Sequence, residues 1–155
     1  MKVFTISAIT LNVENMERSC NFYSCIPGFK LVYGGSHTDS FTTYEIGSGE
    51  SRNNSKMYLN LKLTSPNSTD YTDYNGSDRR KYFGRIIFHT EDVDKLYSYL
   101  RNNENVSNTI LFEDEPKDAP WGERYFHLRE PDGYQLSFAK PLKKQKTRPY
   151  RRNRH

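Results

Sequence analysis

Cysteine is scarce: the 155-residue chain has only Cys20 and Cys25. Two thiols five positions apart cannot make a disulfide framework, and Cys20 falls on a helical apolar stripe, which makes packing its natural role. Long apolar runs are missing too. No stretch approaches the ~20 residues that a bilayer-spanning helix needs, which excludes a helical membrane span. The opening MKVFTISAITLNVENM alternates and soon turns polar, the pattern of a strand rather than a secretion signal. A cytoplasmic location is therefore expected, and matches to N-x-S/T such as Asn67-Ser68-Thr69 are not read as glycosylation sites. There is no Gly-rich phosphate loop, no Ser nucleophile elbow and no CxxC pair. Apolar residues are few as well, at 34% with a mean hydropathy of −0.92.

Aromatics are the exception to this poverty. With 12 Tyr and 9 Phe they reach 14%, too many for a disordered polar chain, and they predict a thin, aromatic core. The chain length suits one ordinary domain or two small modules sharing a core. The net charge of +4 invites a nucleic-acid reading, but its location weakens that reading. Residues 142–155, LKKQKTRPYRRNRH, hold seven Lys/Arg and no acid, leaving 16 of the 23 bases against all 19 acids, or −3, in the rest. The basicity belongs to a tail. Such a tail either contacts RNA, DNA or acidic surfaces through residues 143–155, or is a disordered solubilising terminus.

The body reads as two halves in the same order. In the first, VFTISAITLNV (3–13) alternates as a half-buried strand, and Asn15 caps a helix from Met16 to about Cys25. Pro27-Gly28 stops that helix, and FKLVYGG, FTTYEI and KMYLNLKL supply three strands. In the second, RIIFHT (85–90) is a strand, and Asp92 caps a helix bearing Val93, Leu96, Tyr97 and Leu100. NTILFE (108–113), GERYFHL (122–128) and YQLSFAK (134–140) complete it as strands, with Pro131-Asp132-Gly133 as a turn. A shift of 77 residues carries Ile9 onto Ile86, Leu11 onto Phe88, Asn15 onto Asp92 and Met16 onto Val93. The chain thus divides into a βαβββ module at 1–63, a linker at 64–82, a second module at 83–141, and the tail at 142–155.

Two βαβββ units carrying N-x-E-N-M-E-R-S-x-N-F-Y, P-G-F-K-L and a late E-P-D-G-Y-x-L-S-F resemble the vicinal oxygen chelate superfamily. That group includes glyoxalase I, extradiol dioxygenases, fosfomycin-resistance enzymes and bleomycin-resistance proteins. The resemblance covers about residues 3–141 and implies an α+β fold whose two modules form a curved mixed sheet with helices outside. It also implies a homodimer that completes its cup across the subunit interface. In the enzymes of the group, a His or Gln on the first strand of each module and a Glu on the last hold a divalent metal. Those positions fall here on Ala8 and Arg85, and on Asn60 and Ser137. Ala offers no donor atom, Arg no lone pair, and Asn and Ser only weak oxygens. No metal or other cofactor is therefore expected, and the likeness is nearest to metal-free, bleomycin-resistance-like members. The stretch Pro120-Trp121-Gly122-Glu123-Arg124-Tyr125-Phe126 resembles the segment that walls the ligand groove in such proteins.

Strand alternation places Phe41, Glu45, Asn60, Arg85, His89, Trp121, Tyr125, His127 and Ser137 around the cup as ligand-binding candidates. Arg85 either clamps an anion bidentately or forms a salt bridge to Glu45 or Glu123. His89 and His127 serve as acid/base groups, as plain hydrogen-bonders, or with Glu45 as a displaced metal site. Trp121 is a stacking face or a hydrophobic plug. The expected function is metal-independent binding of a small, anionic or aromatic molecule. The rivals are a glyoxalase-like lyase/isomerase or dioxygenase-type enzyme with a non-standard metal site, and a nucleic-acid accessory protein acting through the tail.

Overall fold

A computed structural model describes residues 1–3, 5–47, 56–65, 68 and 76–143. The basic tail from residue 144 and residues 66, 67 and 69–75 of the 64–82 linker lie outside the described residues.

The chain begins with β1 (Ala8–Val13), α1 (Met16–Cys25), β2 (Phe29–Tyr33), β3 (Phe41–Ile46) and β4 (Met57–Leu63). After a 3-10 turn at Arg79–Tyr82 come β5 (Arg85–His89), α2 (Val93–Asn102), α3 (Glu104–Ser107) and β6 (Leu111–Phe112), then β7 (Lys117–Asp118), β8 (Glu123–Arg129) and β9 (Gln135–Pro141). The expected α+β class with two βαβββ modules is the one adopted. Its strands divide into a four-stranded sheet ordered β1-β4-β3-β2 and a five-stranded one ordered β5-β9-β8-β6, with β7 on β8.

The helices begin where their caps dictate. Asn15 accepts from the Arg18 amide and Asp92 from the Lys95 amide, both from extended backbone, so each satisfies a helix-start donor that lacks an intrahelical partner. The 77-residue shift survives in three dimensions. In the first sheet Ala8 pairs with Tyr58, and in the second Arg85 pairs with Gln135, both in parallel ladders. The middle strands obey another offset: Thr43 faces Asn60 while His127 faces Ser137, 84 residues apart. The β2–β3 region of the second module is therefore longer, and α3 and β7 occupy the extra length.

Two strand expectations are corrected, and one strand is added. The first strand begins at Ala8 rather than residue 3, because its partner β4 starts at Met57; among the described residues the pairing reaches back only to Ser7, whose carbonyl accepts from Tyr58. The 108–113 strand shrinks to Leu111–Phe112, because the Thr109 amide and hydroxyl both bond back to the Val106 carbonyl and hold the chain in the α3 exit turn. β7 was not anticipated at all.

One apolar core runs through both modules. Met16, Cys20 and Tyr23 of α1 pack on Leu11, Tyr44, Leu59 and Leu61, and this cluster continues into Leu96, Leu100, Phe126, Leu136 and Phe138. The aromatic excess forms the continuity. Phe29 meets Phe88 edge-on at 5.3 Å across the module boundary, Phe88 stacks on Phe138 at 5.5 Å, and Phe138 stacks on Phe126 at 5.3 Å. Such ring pairs add to simple area burial.

A polar latch sits beside these rings. Asp132, in the turn between β8 and β9, accepts from the Glu14 amide at 2.9 Å, the Ser19 hydroxyl at 2.9 Å and the Arg18 guanidinium at 3.1 Å. Gly133 at φ 94° closes that turn in a conformation that side chains rarely adopt. Glu130 takes the Asp132 and Tyr134 amides on one oxygen and the Tyr23 hydroxyl on the other. The E-P-D-G segment thus ties the second module to the helix of the first.

Candidate functional site

β8 and β9 carry the most organised polar surface. Alternation sends Phe126 and Leu128 into the core and turns Tyr125 and His127 to the other face. Trp121, just before β8 and 67% exposed, stacks on Tyr125 with centroids 5.8 Å apart and planes at 22°. Tyr125 in turn lies 4.7 Å from the His127 ring. Lys117 sits over the Tyr125 ring at 5.5 Å, and the Trp121 indole N–H donates to Glu123 at 3.0 Å.

Arg85 ends this ladder. Its Nη1 lies 2.8 Å from His127 Nε2, and its Nε donates to Gln135 Oε1 at 3.1 Å. Of the two alternatives for Arg85, the salt bridge to Glu45 or Glu123 does not form. Glu45 takes Lys56 at 2.9 Å, and Glu123 faces His89 at 3.6 Å. Among the described residues Arg85 has no ion pair, so a solvent-exposed guanidinium stands without a counter-charge. The adjacent acids are engaged elsewhere: Glu113 binds Arg129 at 2.6 Å and accepts from Gln135, and Asp114 pairs with Lys117 at 3.0 Å.

A guanidinium only donates, so His127 Nε2 must be the acceptor and the ring is neutral with its proton on Nδ1. Nδ1 is buried and has no partner among the described residues. Burial pushes the His127 imidazole below its usual range, and the Arg85 charge pushes it further the same way.

The other candidates sit elsewhere. Thr43 donates to Asn60 at 2.9 Å, and Asn60 donates to Thr10 at 3.2 Å, on the first sheet with Phe41 and Glu45. No described hydrogen bond, ion pair or ring contact joins this group to the Arg85 group. Ser137 is 2% exposed, covered where His127 and Ile87 flank it in the ladder. The second-module residues Arg85, His89, Trp121, Tyr125 and His127 share one sheet face; Phe41, Glu45 and Asn60 belong to another.

The residues present do not fit the metal of the vicinal oxygen chelate enzymes. The positions that the resemblance assigns to its ligands hold Ala8, Asn60, Arg85 and Ser137, and among the described residues no group of three or more His, Cys, Asp or Glu is placed to hold a metal ion. Glu45, His89 and His127 are not brought together.

Glu113 and Asp114 belong to the Arg85 surroundings but were not among the sequence candidates, whereas strand alternation does turn Gln135 to this face. Gln135 was readable from its pairing with Arg85 under the 77-residue shift. The two acids were hidden because their segment carries a strand-like pattern that the chain does not follow. A cavity of about 570 Å³ was also unforeseen. It opens at the module boundary on the core-facing side, among Phe29, Phe88, Leu96 and Phe138, and shares only His89 with the candidate set.

The fold and this surface define the class. The family described as the Glyoxalase/Bleomycin resistance protein/Dioxygenase superfamily matches residues 5–138, and the chain belongs to it. Solved structures of the same architecture include a glyoxalase/bleomycin resistance protein/dioxygenase from Nocardioides, at 21% identity and TM-score 0.59, covering 94% of this chain and 88% of that one. A glyoxalase-related enzyme from Fulvimarina pelagi aligns at 16% identity and TM-score 0.61, covering 88% of each chain. A family enzyme from Burkholderia phytofirmans PsJN aligns at 12% identity and TM-score 0.62, covering 88% of this chain and 98% of that one. At these identities the likeness concerns the fold. No curated protein matches the chain.

Proposed function

We propose that this protein binds a planar, anionic small molecule without a metal ion, and that two copies complete the binding cup. The observation that carries the reading is the ladder Trp121–Tyr125–His127 ending at Arg85, a guanidinium that has no ion pair among the described residues and stands where metal-dependent relatives keep a ligand. Aromatic faces supply flat contact area, and a guanidinium supplies directional hydrogen bonds to an oxyanion. Metal independence rests on the donor chemistry of Ala8, Asn60, Arg85 and Ser137. The separation of the two candidate groups supports the dimer. One chain presents each half of a cup on its own sheet, so Phe41, Glu45 and Asn60 of one copy are available to face the Arg85 surface of the other. Among the described residues β1 and β5 are each hydrogen-bonded along one side only, and Ile87 on β5 is exposed beside Arg85.

A thermal-shift screen of planar carboxylates, other anionic metabolites and aromatic antibiotics tests this. A true ligand raises the wild-type midpoint and loses most of that rise in Arg85→Ala, since stabilisation follows ligand affinity for the native state. A ligand that stabilises both proteins equally would place binding elsewhere.

A further inference from the structure

We infer that Arg85 and His127 form a proton-linked carboxylate site, in which an incoming aromatic carboxylate binds Arg85 while His127 takes up a proton from solvent. The inference rests on the proposed ligand surface and adds how that surface responds to its ligand. Its basis is the pairing itself. His127 Nε2 accepts one guanidinium N–H at 2.8 Å, Gln135 accepts another at 3.1 Å, and the Arg85 Nη2 has no hydrogen bond to a described residue. The imidazole lone pair thus occupies a place that a carboxylate oxygen would fill better, because an anion compensates the charge and a neutral ring does not.

When a carboxylate takes that place, both groups become donors to it. Arg85 donates from its guanidinium, and Nε2, no longer an acceptor, gains a proton and donates as an imidazolium. The Nδ1 proton is already present, so one proton enters per carboxylate bound. The ligand charge removes the penalty that Arg85 imposes on the cationic ring. Tyr125, 4.7 Å from the imidazole, and Trp121 beyond it give the aromatic ring of the ligand its platform. Other charges facing His127 come from the β6–β7 connection and β7. Asp114 accepts from the His127 amide at 2.6 Å, and with Glu113 it favours the cation, while Lys117 opposes it. These nearby acids make the protonated ring tolerable once Arg85 is neutralised. In the free protein, burial and then the Arg85 charge both favour the neutral ring.

Linkage fixes the consequences. If binding takes up one proton, affinity rises by up to about tenfold for each pH unit lowered, between the free and the bound titration ranges of His127. Calorimetry with benzoate as probe, at pH 7 in PIPES and in imidazole, reads the proton directly from the difference between the two enthalpies. The expected result is uptake approaching one proton, Kd falling as pH is lowered from 8 to 6.5, and both effects lost in His127→Gln. Nitrogen-detected NMR of the wild type gives a second readout that needs no variant. The His127 ring should pass from the Nδ1–H tautomer to the imidazolium when benzoate is added, with His37 and His89 unchanged. Benzoate that binds through Arg85 with no proton uptake, or uptake that persists in His127→Gln, overturns this inference and leaves the ligand surface standing. Failure of benzoate to bind the wild type overturns it together with the anion reading of that surface.

Discussion

Asp132 gathers donors from the first module, the Glu14 amide, Ser19 hydroxyl and Arg18 guanidinium, and its side chain is fully buried. Truncating it strips their acceptor from a buried polar cluster, which typically costs about 3–5 kcal/mol when a buried charge loses its partner. Asp132→Ala should therefore show a large drop in urea midpoint, while Asp132→Asn, which keeps an oxygen acceptor, should lose less. Glu130 beside it behaves differently. Burial, reinforced by the nearby Asp132 charge, pushes its carboxyl up to about 8. A carboxyl raised on folding holds a proton in the native state that the unfolded chain has released. Its contribution is thus present below the ordinary carboxylate range and is lost as pH rises toward 8. Chemical denaturation at several pH values should show stability falling over that interval in wild type and a flatter profile in Glu130→Gln. His127 works with the opposite sign, since its depressed imidazole favours the folded state as pH rises toward the ordinary histidine range. At this scale the sequence made Arg85 visible as a cation at a ligand position. It could not show that His127, rather than Glu45 or Glu123, would accept from Arg85. That depends on cross-strand register, which places His127 opposite Ser137 and Arg85 opposite Gln135.

Helix boundaries were the most legible elements, because capping is local chemistry. Asn15 and Asp92 each mark a start, and Pro27-Gly28 follows the first helix, so a start at Met16 and an end near Cys25 were readable. Replacing Asp92 by Ala should cost about 1 kcal/mol, the usual value of such a cap. For a chain of this size that amounts to a fall in Tm of roughly 2–4 °C, measurable by calorimetry. The second module's middle strands were poorly legible for the converse reason. Asn103 caps the short α3, Pro116 lacks an amide, and the chain there follows local turns in preference to the alternating pattern of 108–113. Edge strands compound this. β6 and β7 have two residues each, too few to leave a periodic trace. Near β3, Gly34 at φ 70° lets the chain pass the Phe41 carbonyl, which a Cβ would meet at 2.4 Å. Gly34→Ala should destabilise the β2–β3 hairpin.

On the scale of the whole molecule, the repeat and the aromatic excess were read correctly, and the core joins both modules through Phe29 and Phe88. The candidate residues Phe41, Glu45 and Asn60 lie on one sheet and the Arg85 group on the other, so the proposed cup needs a second copy to bring them together. The proposed dimer predicts a solution mass near twice the 18.3 kDa chain by light scattering. Ile87→Glu, which places a charge on the exposed face of the β5 edge, should shift that mass toward the monomer. Deleting residues 143–155 should leave ligand stabilisation intact, since Arg85 and its partners lie in the body. Among the described residues no helix is long and apolar enough to cross a membrane. The most direct test of metal-independent binding is the thermal shift produced by a ligand from the screen, measured on untagged protein before and after exhaustive chelation. The shift should be the same in both samples. A shift abolished by chelation and restored by one equivalent of Zn, Ni, Fe or Mn would contradict metal-free binding at Arg85.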